Sequence, residues 1–396
     1  MAFSLALVIL LGLLLSGIFK KIKLPGLLGM LILGVLIGPY GLNWLDESMM
    51  EISGDLRKIA LIIILIRAGF GINREALQKI GFSALRLSVI PVVFEGVTVM
   101  LLGGWLLGLT TVEAGMLGFI IAAVSPAVIV PSMLSFITRR KGESKEIPTM
   151  ILAGASIDDV VAITIFSSFV GMYSGQSISL GAQVLNIPLA IGLGVGLGLL
   201  LSMFLLLLFK ILNIPNTKKV LMILASGILL TTLEDVLQNV VPIAALLGVM
   251  VLGFVILEKK ETLAQELSRE FNKIWVLAEM VLFVLVGAQV DISLALEEGW
   301  AGPLIIGLGL SARYFGVFLS LIRTKLSLKE RGFCMIAYTP KATVQAAIGA
   351  VPLTLGVPAG EVILALAVLS IILTAPLGAV GIKIVGERVL EDRYKP

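Results

Sequence analysis

The sequence predicts an all-α polytopic membrane protein of about 13 transmembrane helices, on the grounds of composition, run length and the alternation of basic loops. The chain is 58% hydrophobic and only 14% charged, whereas soluble domains carry roughly a quarter charged residues. Its apolar runs are mostly about 17 to 26 residues long, which suits helices crossing a hydrocarbon core of about 30 Å and not the short alternating strands of a membrane barrel.

The segments follow in order. Ala2 to Phe19 has no basic leader or small-residue cleavage site, so it reads as a retained helix and not a signal peptide. Leu24 to Leu42 follows the basic "KKIK", Ile59 to Ile72 follows Arg57 and Lys58, and Ala84 to Leu109 carries Glu95. Ala114 to Ile137 is interrupted by Pro126 and Pro131 and runs into "RRKGESKE", and Pro148 to Tyr173 carries the adjacent pair Asp158 and Asp159. Leu185 to Phe209 precedes "NTKK", and Val220 to Leu237 and Val241 to Leu257 precede the polar run "EKKETLAQELSREFNK". Ile274 to Val290 comes next, then Trp300 to Ile322 with Arg313, Gly332 to Leu355 with Pro340 and Lys341, and Val362 to Ile382 leading to a basic tail.

Numbering the connections alternately tests this division, because cytoplasmic loops hold the excess of Lys and Arg. Of 30 basic residues, Arg57 and Lys58 fall on one side, Arg67, Arg313 and Lys341 lie inside segments, and the other 25 share the opposite side. The N-terminus is therefore expected outside and the C-terminus in the cytoplasm, as in a bacterial inner (plasma) membrane protein. The single cysteine, Cys334, allows no intramolecular disulfide, and there is no histidine. Any response to pH must then come from carboxylates or amines.

An inverted repeat is expected. "AGFGINREAL" after the third segment matches "VGAQVDISLAL" after the tenth, pairing Gly69 with Gly287, Ile72 with Val290 and Asn73 with Asp291, each 218 residues on. Glu95 and Arg313 share that offset, and Pro126 precedes Pro340 by 214. The repeats span about 59–173 and 274–382, and a shift of seven helices reverses the direction in which each helix crosses. Prolines in mid-membrane at matching places of two inverted halves point to broken helices and a transport site, the more so with polar Ser125, Thr339, Lys341 and Gln345 beside them.

Charges inside a membrane are costly and line pathways or form pairs. Adjacent helical residues point about 100° apart, so Asp158 and Asp159 need different partners. One can face a hydrated funnel and bind a small cation, while the other turns to a basic group such as Lys341. Glu95 and Arg313, at matching positions with opposite charge, read as a buried pair joining two helices. Arg67, Glu234, Asp235 and Glu279 read as charges near segment ends that snorkel or pair locally.

The motifs "AVSPAVIVPSML", "GASIDDVVAIT" and "PKATVQAAIGAV", with "LILGVLIGPYGL" near the start, resemble the monovalent cation:proton antiporters. Among these, the chain is similar over nearly its whole length to the NHA-type sodium/proton exchangers related to NapA and NhaA. The resemblance implies an inverted repeat with two broken crossing helices, a mobile core of about 114–173 and 332–382, and remaining helices that link and dimerise. It implies an elevator-type homodimer that exchanges Na+ or Li+ for H+, is not an enzyme and needs no cofactor. Asp159 would be the principal ligand of the transported Na+ and of the proton, Asp158 its neighbour paired with Lys341. Ser125 with Pro126 and Pro131 would mark the first crossover and Thr339 with Pro340 the second, and Glu95 and Arg313 would match the family's buried ion pair. The chain departs from the electrogenic members, whose lysine lies on the helix that carries Arg313 here; arginine does not release its proton, so stoichiometry stays open.

Alternatives are K+/H+ antiport and sodium-coupled symport of an organic solute on a related fold. Two carboxylates, a lysine and few aromatic residues near the breaks favour a bare ion. An intramembrane aspartyl protease needs two facing aspartates from separate helices, which an adjacent pair does not supply. No phosphate loop, metal-ligand cluster or nucleic-acid signature is present, and the partners expected are small cations, protons and lipid.

Overall fold

The computed structural model describes residues 1–22, 26–72, 74–174, 180–212, 214–237, 241–289 and 299–391, apart from the side chains of 74–80 and 180–187. Asn73, Val290 and Asp291 of the repeat alignment lie outside the described residues. Among these the helices run α1 (Ala2–Lys21), α2 (Gly26–Ile37), α3 (Glu47–Glu51), α4 (Ser53–Gly71), α5 (Arg74–Leu107), α6 (Thr111–Ala122), α7 (Pro126–Thr138), α8 (Ile147–Tyr173) and α9 (Leu180–Ile211). They continue as α10 (Asn216–Leu237), α11 (Ala245–Lys259), α12 (Glu261–Ala288), α13 (Ala301–Leu321), α14 (Leu328–Ala337), α15 (Thr343–Ile348), α16 (Val351–Thr354) and α17 (Gly360–Val389).

Among the described residues nine stretches are long and apolar enough to cross a membrane, with α6 and α7 together forming one of them. The other apolar segments fall short for local reasons. Helix α2 has only 12 residues, α11 has 15, α4 carries Asp55, Arg57, Lys58 and Arg67, and the segment Gly332 to Leu355 is divided among α14, α15 and α16.

One stretch that reads as a polar loop is helical. "EKKETLAQELSREFNK" crosses from the end of α11 into the first half of α12, where Ala264, Leu267, Phe271 and Trp275 are buried at three- and four-residue spacing. An amphipathic stripe of this kind folds on its neighbours although its mean hydropathy is low.

Glycine lets the packed helices cross closely. A Cβ on Gly69 of α4 would lie 2.1 Å from the Met250 carbonyl oxygen of α11, and one on Gly253 2.4 Å from the Ile66 carbonyl oxygen. The same contact joins α2 to α12, where a Cβ on Gly34 would lie 2.0 Å from the Val284 carbonyl oxygen and one on Gly287 2.1 Å from that of Leu31. Without a hydrophobic driving force in lipid, such backbone approach supplies much of the association between helices. Outward faces are apolar, as with Leu200, Phe204, Leu207 and Ile211 on α9.

Two broken helices are each opened by a capping box. Thr110 and Glu113 cap α6, and Glu113 Oε1 also accepts from the Ala359 N–H before α17 at 3.3 Å. Ser327 and Glu330 cap α14, and Glu330 also accepts from Lys145 before α8 at 2.7 Å. At the far end of α7, Glu387 of α17 pairs with Arg139 at 2.5 Å and Lys141 at 2.6 Å. The breaks and their flanking helices are thereby tied at both ends.

Overpacking at a close crossing costs about 1–3 kcal/mol. Gly253→Val is therefore expected to lower the thermal midpoint of the purified protein, while Gly307→Ala on α13, where a Cβ meets nothing within 4 Å, leaves it unchanged; thermal melts in detergent compare the two.

Candidate functional site

The site forms where the two breaks meet. Helix α6 stops at Ala122 and α7 restarts at Pro126, whose missing N–H costs nothing at the first helical position. Helix α14 stops at Ala337, and Thr339 to Ala342 stay non-helical before α15. The Ser125 N–H donates to the Pro340 carbonyl at 2.8 Å, and Ser125 Oγ lies 3.4 Å from Thr343 Oγ1. Thr339 Oγ1 lies 2.7 Å from the Tyr314 hydroxyl. Pro131 does not break its helix: it lies inside α7, which continues to Thr138.

Five ionisable side chains converge on this crossing, each no more than 5% exposed: Glu95, Asp158, Asp159, Arg313 and Lys341. Arg313 Nη2 donates to Asp158 Oδ1 at 2.5 Å, and Nη1 donates to Glu95 Oε2 at 2.7 Å and to the Ala122 carbonyl at 2.5 Å. Its guanidinium lies over the Tyr338 ring, 5.3 Å from the centroid. Asp158 Oδ2 accepts the Val124 N–H at 2.9 Å. Lys341 Nζ donates to Glu95 Oε2 at 2.6 Å, while its own backbone N–H donates to Thr374 Oγ1 at 2.9 Å.

The expected pairing of Asp158 with Lys341 is therefore corrected. Arg313 reaches Asp158 and Lys341 turns to Glu95, because a planar guanidinium can serve two carboxylates and a helix-end carbonyl at once. Arg313 joins Glu95 of α5 to Asp158 of α8 and caps the broken end of α6, whose last carbonyls lack helical donors. Asp159 stands apart, with Oδ1 buried and no partner. Two cations face three carboxylates, so with all five groups ionised the cluster would carry one uncompensated negative charge.

Two of the charges read as lying near segment ends, Asp235 and Arg67, have local partners. Lys58 pairs with Asp235 at 2.5 Å, and Arg67 Nε donates to Asn272 Oδ1 at 2.8 Å with its guanidinium over Trp275.

A family model described as sodium/hydrogen exchanger, transmembrane, matches residues 6–388. The chain belongs to the sodium/hydrogen exchanger family. It is 34% identical over 383 residues to sodium/hydrogen exchanger 9B2 of Homo sapiens, covering 93% of this chain and 70% of that protein. It is 30% identical over 400 residues to sodium/hydrogen exchanger 9B1 of Homo sapiens, covering 94% and 74%. The fold is shared with the sodium proton antiporter MjNhaP1 from Methanocaldococcus jannaschii, with a TM-score of 0.77 at 23% identity over 97% of this chain and 95% of that one. A member of this exchanger family is an integral membrane transporter and not an enzyme, and it works without a cofactor.

Neutral residues that complete this exchanger's crossing carry little sequence signal. Thr374 is an exception in one respect: it follows Asp158 by 216 residues, as Lys341 follows Val124 by 217, so a search for polar residues at the repeat offset finds it. Tyr314, Tyr338 and the backbone of Ala122 and Val124 have no such marker.

Removing one member of a buried pair costs about 3–5 kcal/mol, while replacing both is often neutral. Glu95→Gln is thus expected to lower the thermal midpoint strongly and Glu95→Gln with Lys341→Met to regain much of the loss; equal midpoints for wild type and Glu95→Gln would contradict the arrangement.

Proposed function

We propose that the protein is a secondary active antiporter that exchanges Na+ or Li+ for H+, with cation and proton competing for Asp159. One observation carries the reading: Arg313 and Lys341 balance Glu95 and Asp158, while Asp159 is a buried carboxylate with no partner of its own. A proton or a monovalent cation neutralises it. The loaded cluster is then neutral with either ion and can cross the membrane interior, whereas the empty cluster carries a charge that opposes crossing. This asymmetry makes exchange obligatory and one-for-one. Asp158 holds the crossing through Arg313 and the Val124 N–H and leaves ligation to its neighbour.

Elevator motion is the form of alternating access we infer. The moving body comprises α6, α7, α8, α14, α15 and α17 with α5 and α13, which the ion cluster and the glutamate caps tie together. The α2, α4, α11 and α12 group, closed by its glycine crossings, is the natural fixed partner. Support for an inverted repeat comes from contacts that recur about 217 residues apart. Capping Glu113 recurs as Glu330, and the Asp158 bond to the Val124 N–H recurs as Thr374 to the Lys341 N–H. The Gly69–Gly253 crossing likewise recurs with Gly287 and Gly34. The basic loops support an outside N-terminus and a cytoplasmic C-terminus.

In proteoliposomes with a trapped pH dye and an imposed proton gradient, wild type is expected to release protons on addition of Na+ or Li+. Asp159→Asn is expected to show none while eluting and melting as a folded protein; exchange retained in that variant would overturn the site.

A further inference from the structure

Gln345, in the first turn of α15, is 1% exposed and takes no part in the ion cluster. Its Nε2 donates to the carbonyls of Ile120 and Ala123, each at 2.8 Å, at the broken end of α6. Both amide hydrogens are thus used on carbonyls, which fixes the direction of the amide and leaves Oε1 buried with no partner. The Ala123 carbonyl that holds Gln345 is adjacent in the chain to the Val124 N–H that holds Asp158, so one short extended segment positions both the amide and Asp158.

Two acceptor-only side-chain oxygens at this crossing are therefore buried without donors: Asp159 Oδ1 and Gln345 Oε1. A buried oxygen of this kind carries a desolvation penalty until a donor or a cation satisfies it. A carboxylate and an oriented amide carbonyl are the hard oxygen donors that replace the hydration shell of an alkali cation.

We propose that Gln345 Oε1 is a neutral ligand to the transported cation and sets which cation the site accepts. This rests on the antiport reading above. Because a proton needs Asp159 alone and a cation needs both oxygens, Gln345 separates the two competing ions. Its loss weakens cation binding and leaves proton binding in place.

The test places Gln345→Met and Gln345→Asn beside wild type and Asp159→Asn in proteoliposome exchange with Na+ and Li+, together with ion-free thermal stability measured against pH. Gln345→Met is expected to raise the apparent KM for Na+ about tenfold or more, the scale of one lost contact to a charged group, with the pH dependence of ion-free stability unmoved. Gln345→Asn, which withdraws the carbonyl by one methylene and serves if the Met variant does not fold, is expected to change the Li+ to Na+ KM ratio. Wild-type KM values for both ions in the folded variants would overturn the proposal, as would a lowered rate with an unchanged KM ratio, the mark of a purely structural amide. Exchange retained by Asp159→Asn would overturn the antiport site itself, a distinct outcome because the Gln345 variants keep Asp159.

Discussion

The structure is organised around the guanidinium of Arg313. Buried in the middle of the protein, it spends its two terminal nitrogens on two carboxylates and one helix-end carbonyl, while Nε has no partner. Each partner sits on a different element: Glu95 on α5, Asp158 on α8, Ala122 at the end of α6. Desolvating that many ions costs several kcal/mol apiece, and only mutual pairing offsets it. The pairing in turn requires the α6 break, since an unbroken helix would have consumed the carbonyl of Ala122 and the N–H of Val124.

Balance within the cluster gives Asp159 its distinct character. Lys341 completes Glu95 and Arg313 completes Asp158, so Asp159 is left buried beside Asp158 with no ion pair of its own. On the antiport reading such a group takes a mobile positive charge in the membrane interior. On the proposed repeat the two halves differ in chemistry here: where the first has Asp158 and Asp159, residues 216 further on are Thr374 and Ala375. Thr374 supplies a hydroxyl for the Lys341 N–H, while Asp159 is the exchange site on the reading proposed above.

Much of this was legible in the sequence because membranes make it so. Prolines in apolar runs, ionisable residues at helix centres and basic loops on one side are rare enough in lipid to stand out, and the shared offset of Glu95 and Arg313 anticipates their contact. Partner choice was not legible. With three carboxylates and two cations, the assignment of Lys341 to Glu95 depends on how far each side chain reaches across the crossing. Neutral groups such as Gln345 and Thr374 leave no trace in hydropathy, and the amphipathic start of α12 hides its buried stripe behind a high charge content. Pro131 misled because a proline in a membrane helix need not break it: α7 runs on through Pro131 to Thr138.

The central claim is that Asp159 alone exchanges its charge. It is tested most directly by adding Na+ to the purified, unbuffered protein in detergent and counting protons released per cation bound. The account predicts one proton per Na+ in wild type and none from Asp159→Asn. Two protons per cation would mean that Lys341 or Asp158 also gives one up, and the balanced cluster described here would be contradicted.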